Sequence, residues 1–112
     1  MFMIHTLGRS GLAVSPHGLG TMTWGHETDE HEAAEMLDLF LSSGGNYIDT
    51  APFFGEGRAE HIVGTLATAV GRENLVVALH SGVRADGDRR VDASRSHLLQ
   101  SLDTSLASMA MD

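Results

Sequence analysis

Among the fifteen carboxylates and seven imidazoles of this 112-residue chain, the pair whose placement suits proton transfer is Asp49 and His80. Asp49 closes the run Asn46-Tyr47-Ile48-Asp49, and His80 directly follows Leu75-Val76-Val77-Ala78-Leu79, so each stands at the carboxyl end of a predicted strand. An imidazole changes charge near neutral pH and a carboxylate can orient it, which is the pairing that general acid/base catalysis uses. The same residues also suit a quieter role, with Asp49 bonded to local backbone and His80 solvated in a loop. Bulky apolar side chains gather near these ends: Met22, Trp24, Phe53 and Phe54, with Tyr47 on the strand face that Asp49 shares. They would line a pocket for a hydrophobic small molecule, or else cover a subunit interface. Arg84, in the loop after His80, is a further candidate for holding substrate, and Glu56 and Arg84 are the reserve acid/base pair.

Other chemistries are excluded or discounted. There is no cysteine, so no disulfide, thiolate zinc site or thiol nucleophile. The seven basic residues are all arginine, which removes lysine chemistry. Fifteen acidic residues against those seven give a net charge of −8, and such a surface repels nucleic acid. Seven histidines invite a metal reading, but His26 and His31 about Asp29, and Glu60-His61, lack the H-E-x-x-H spacing, so no metal is expected. Gly18-Leu19-Gly20 and Gly55-Glu56-Gly57 are not a G-x-G-x-x-G fingerprint, and no bound cofactor is expected. Arg89-Arg90, preceded by Asp86 and Asp88, reads as a solvated, locally paired loop, with an anionic-substrate anchor as the alternative. No apolar run approaches the roughly 18 residues of a membrane span, and the N-terminus lacks a signal-peptide pattern. The expectation is a soluble, cytoplasmic, single domain over residues 1–112.

The elements that must position Asp49 and His80 follow from pattern. Ile4 to Ser15 reads as a hairpin about the Gly8-Arg9-Ser10-Gly11 turn, and Gly18 to Met22 as a first strand. Thr28 or Asp29, with Glu32, caps a helix whose stripe is Ala33, Met36, Leu37, Phe40 and Leu41, stopped by Gly44-Gly45. After the Asp49 strand, Ile62, Val63, Leu66 and Val70 mark a second helix. Leu75 to Leu79 is apolar throughout and predicts a parallel strand buried on both faces. Asp92 or Ser94 caps a third helix with Leu98, Leu102 and Leu106 as its apolar stripe. Strands alternating with helices predict an α/β fold with a parallel sheet.

Three segments in this order, LGRSGLAVSPHGLGTMTWG, IDTA-x-x-x-G-x-G from Ile48 to Gly57, and DGDRRVDASRSHLLQSLDTSL, resemble the start of aldo-keto reductases. The resemblance implies an N-terminal β-hairpin followed by three βα units of a partial (β/α)₈ TIM-type barrel, with a fourth strand due to begin near Asp112. That family moves hydride from NADPH to a carbonyl with an aspartate, a tyrosine, a lysine and a histidine. The resemblance puts the aspartate at Asp49, but the tyrosine position holds Phe54 and the lysine position His80. A phenyl ring cannot donate the proton, and general acid catalysis is worth roughly 10²- to 10⁴-fold. The histidine and most cofactor-phosphate contacts would fall in later βα units.

The leading expectation is therefore a non-redox acid/base enzyme of isomerase, cyclase or lyase type, with Asp49 and His80 catalytic and Met22, Trp24, Phe53, Phe54 and Arg84 binding substrate. The lysine-free, alanine- and arginine-rich composition fits a high-GC bacterial setting such as specialised metabolism. The rivals are a non-catalytic ligand-binding or assembly protein, and a partial subunit of an NADPH-dependent reductase. Three parallel strands leave open edges, so a homodimer is expected.

Overall fold

The computed structural model describes residues 1–84 and 90–112. The reading of Asp86, Asp88 and Arg89 lies outside them. The described elements are β1 (His5–Thr6), β2 (Ala13–Val14), β3 (Gly18–Gly20), α1 (Glu30–Ser42), β4 (Tyr47–Thr50), α2 (Arg58–Val70), β5 (Val76–Leu79) and α3 (Arg95–Met109), with single 3₁₀ turns at Phe54–Gly57 and Arg72–Asn74. β1 and β2 form a small antiparallel hairpin, and β3, β4 and β5 a parallel sheet in that order. This is the expected α/β arrangement of a hairpin and three βα units.

Local chemistry sets the boundaries. Asp29 caps α1, accepting from the Glu32 amide at 2.8 Å while Glu32 accepts from the Asp29 amide at 3.1 Å, so two otherwise orphaned donors are met. Gly44, at φ 92°, lets the chain reverse so that Gly44 and Gly45 amides reach back to Leu41 and Phe40 carbonyls. Of the two candidates for α3, Ser94 is the cap, its hydroxyl accepting from the His97 amide at 3.2 Å; Asp92 instead accepts from the Ser94 amide at 3.1 Å. The hairpin is joined to the sheet by Asn46, whose side chain accepts from the Ser15 amide at 2.7 Å and donates to the Ala13 carbonyl at 3.0 Å.

In β4 the alternation is clean: Ile48 and Thr50 are buried toward the helices, Tyr47 and Asp49 face the other side. Two expectations need correction. β5 is half-buried at every position, because among the described residues it pairs with β4 alone. The stripe Leu98, Leu102, Leu106 does not form the buried face of α3: Leu98 and Leu102 are exposed, and the buried residues are Ser105 and Met109. The cause is a close approach between helices. A Cβ on Gly64 of α2 would stand 2.4 Å from the Met109 carbonyl oxygen, so backbone meets backbone there and small residues fill the seam. Trp24, Leu37, Ile48 and Val63 centre the core. Among the described residues no helix is long and apolar enough to cross a membrane.

Candidate functional site

Parallel pairing places the two proton-transfer candidates. Asp49 is in register with Ala78 of β5, and His80 follows Ala78 by two residues, which returns it to the same face of the sheet. The His80 amide continues the ladder by donating to the Thr50 carbonyl at 2.9 Å. The side chains then meet, with His80 Nε2 2.9 Å from Asp49 Oδ2. An ionised carboxylate only accepts, so in the neutral ring Nε2 carries the proton and Nδ1 keeps its lone pair. The pair is partly solvated: the Asp49 side chain is 33% exposed and that of His80 57%. Its Coulombic energy is correspondingly screened, and its value is orientation.

Asp49 is held from its own backbone outward. Thr21, fully buried, donates its hydroxyl to the Asp49 carbonyl at 2.9 Å. Gly20, its register partner on β3, leaves room for the carboxylate; a Cβ there would come to 3.3 Å from Oδ1. Beside the imidazole lies the Phe54 ring, centroids 6.3 Å apart, and Phe53 packs edge-on to Phe54 at 5.3 Å. The dyad therefore has one aromatic wall.

That wall rests on a strained turn. Gly55 (φ 59°, ψ 27°) and Glu56 (φ 56°, ψ 40°) are both left-handed, and the latter conformation is costly for a residue with a Cβ. The Trp24 carbonyl comes so close to Gly55 that a Cβ would stand 2.8 Å from it. The Trp24 loop is itself locked by the Thr23 and Thr28 hydroxyls at 2.9 Å. Arg58 donates from Nε to the Gly55 carbonyl at 2.9 Å and ties the turn to α2.

The seven sequence-predicted site residues thus separate. Asp49, His80, Phe54 and Phe53 come together. Met22 is exposed in the loop after β3, and Trp24 is fully buried in the core, where its backbone supports the turn and its ring cannot meet a ligand. Arg84 is engaged elsewhere, its Nη1 3.3 Å from Asp92 Oδ2 beside α3. Sequence reasoning missed a second polar group: Glu60 near the start of α2, and His97 and Ser105 of α3. Glu60 is 4% exposed, and burial pushes its carboxyl up from the usual range, offset in part by the nearby Ser105 hydroxyl. The signal was present as polar residues at helical spacing, His97, Ser101, Thr104 and Ser105, on a helix whose leucines drew attention instead.

Among the described residues no group of three or more His, Asp or Glu side chains could hold a metal ion, and the His26–Glu27 and His31–Glu35 pairs are exposed. Of the residues that the resemblance assigns to NADPH-dependent reduction, the described chain supplies Asp49, while Phe54 has no hydroxyl to donate and His80 no amine.

Comparison with known proteins agrees with this architecture. Residues 17–112 match the Aldo/keto reductase family. A rice protein (Oryza sativa subsp. japonica) named "Probable voltage-gated potassium channel subunit beta" is 35% identical over 109 residues, covering 95% of this chain and 33% of its own length. A Pseudomonas aeruginosa structure described as an aldo-keto reductase superposes with a TM-score of 0.85 at 39% identity, over 98% of this chain and 42% of its own. A Bacillus halodurans aldo-keto reductase in its holo form gives 0.86 at 30% identity, over 100% of this chain and 38% of its own. The chain thus spans about a third of the curated relative's length and about two fifths of each structure's.

Proposed function

The chain belongs to the aldo/keto reductase family, and on that premise we propose that its Asp49–His80 dyad performs non-redox proton transfer on a carbonyl compound. The observation that carries the reading is the 2.9 Å contact between His80 Nε2 and Asp49 Oδ2, with the phenyl ring of Phe54 where the family resemblance implies a phenol. His80 is the base. Asp49 fixes the tautomer and, once the ring is protonated, faces an imidazolium it stabilises.

The step is an enolisation. His80 Nδ1 takes a proton from the carbon next to the carbonyl, and the C–H electron pair moves into a carbon–carbon double bond as the carbonyl oxygen gains charge. The imidazolium returns the proton to the same carbon, giving exchange or epimerisation, or, in the dienolate of a β,γ-unsaturated carbonyl compound, to the γ-carbon, giving isomerisation; a leaving group on the β-carbon departs with its bonding pair and takes the imidazolium's proton, giving elimination. No oxidant or reductant is consumed. Phe53 and Phe54 favour an apolar substrate body, and exclude water from one side of the ring. Proton NMR in deuterium oxide tests this directly, by following loss of α-proton signal from simple ketones and aldehydes with and without the protein.

Non-catalytic ligand binding is the second reading, favoured by the exposure of the dyad, since a base that is 57% exposed is poorly shielded from water. It predicts retention of an aromatic or alkyl carbonyl compound at Phe53 and Phe54 without exchange.

A further inference from the structure

Between α3, Pro52 and the loop after β5 lies a cavity of about 320 Å³ that shares no lining residue with the dyad. Its polar wall is Arg84 from the loop after β5 and His97, Gln100, Ser101, Thr104 and Ser105 from successive turns of α3. In a chain with fifteen acidic residues against seven basic ones, no carboxylate is among the described residues of this lining.

Two of the lining groups have hydrogen bonds still to make. Ser105 is 1% exposed, and its hydroxyl oxygen, buried beside the Glu60 carboxyl, makes no hydrogen bond of good geometry; the Nε2 atom of His97 is buried and unmet. A buried polar atom left in that condition has lost its water without replacing it, so both atoms gain by meeting a ligand. His97 stands in the first turn of α3, where the helix field favours negative charge. Arg84 adds a guanidinium whose charge is shared with Asp92 at 3.3 Å. Glu60 lies behind Ser105 with one carboxyl oxygen, Oε2, unmet, and burial pushes this carboxyl up from the usual range.

We propose that this cavity binds a small oxyanion, a carboxylate or a phosphate monoester, through the Ser105 hydroxyl, His97 Nε2 and the neighbouring α3 hydroxyls, with Arg84 supplying charge. The site stands independently of the dyad's chemistry.

The test is an amide NMR titration of the whole chain with inorganic phosphate, and separately with acetate, at ionic strength held constant with sodium chloride. Saturable shifts at Ser101, Thr104 and Ser105, complete below roughly 10 mM, are expected with at least one of them. Tighter phosphate binding assigns the site to phosphate monoesters, and tighter acetate binding to carboxylates. Arg84→Gln and Ser105→Ala should each weaken binding tenfold or more; if Ser105→Ala does not fold, Arg84→Gln and His97→Leu carry the comparison. Unsaturable drift equal to that in sodium chloride alone, or affinity unchanged in the folded variants, would overturn the proposal.

Discussion

His80 meets Asp49 across two parallel strands because it lies two residues beyond Ala78, the register partner of Asp49, and the strand period returns it to the same face. A one-residue change of length between Ala78 and His80 would turn the imidazole toward the helices. The dyad is therefore a product of register.

Introducing a phenol alone should not create a reductase. In Phe54→Tyr the new hydroxyl has an ordinary pKa near 10 and, with His80 in place, no ammonium group beside it to lower that value. NADPH consumption with simple aldehydes, followed by absorbance, is expected to stay at background in this variant. Appearance of turnover would mean that His80 substitutes for the family's lysine, contrary to its assignment as the base.

The α2–α3 seam should be intolerant of a single methyl group. Gly64→Ala drives its Cβ toward the backbone of Met109, which cannot rotate away as a side chain would. Overpacking of this kind costs about 1–3 kcal/mol, and the melting temperature should fall accordingly. An unchanged melt would show that the helices are free to separate.

Stability should depend on pH through two carboxyls of opposite sign. Glu60 is raised by burial, so the folded state holds its proton more tightly than the unfolded chain. Its effect is absent below the ordinary glutamate value of about 4.3, and stability is lost as pH climbs from there through the raised value. Glu60→Gln should raise the melting temperature at neutral pH and flatten that slope. Asp92 is lowered, chiefly by hydrogen bonds from the Ser94 hydroxyl and backbone amide and further by His97 and Arg84, so its contribution is present above the ordinary aspartate value and lost as pH falls through the lowered one. Asp92→Asn should remove part of the loss of stability in acid. Thermal melts across pH for the parent and both variants measure each limb.

Self-association is expected from the faces left uncovered. Among the described residues β5 has a sheet neighbour on one side, and Leu98, Leu99 and Leu102 of α3 are 39%, 49% and 43% exposed. A second copy covering these would form an obligate interface of about 2,000 Å² or more. Sedimentation should show a dimer, with a melting temperature that rises with protein concentration. A monomer whose melt ignores concentration contradicts this.

Much of the fold was legible because its signals are local. The Asp29–Glu32 box, the Gly44-Gly45 stop and the apolar run before His80 each announce an element without reference to the rest of the chain. The failures came where packing overrode pattern. Leucine spacing on α3 pointed to one face, but the helix packs through Ser105 and Met109 because Gly64 admits backbone contact, and a hydrophobic periodicity cannot register a glycine. Trp24 looked like pocket lining from its place in a strand-end loop, yet its ring turns inward and is fully buried. The Asp49–His80 juxtaposition was legible because both residues terminate neighbouring strands, whereas Glu60, His97 and Ser105 converge only through the crossing of two helices.

If the Asp49–His80 dyad transfers protons at a carbonyl's α-carbon, α-proton exchange in deuterium oxide measures that transfer whatever the natural substrate is. A panel of alkyl and aryl ketones and aldehydes, incubated with the whole chain and followed by proton NMR, should show protein-dependent loss of α-proton signal for at least one member. His80→Ala and Asp49→Asn should each slow that loss by about 10²-fold or more while leaving the circular dichroism spectrum unchanged. Exchange no faster than in buffer across the panel, or exchange that survives intact in both variants, would contradict the assignment of His80 as a base oriented by Asp49.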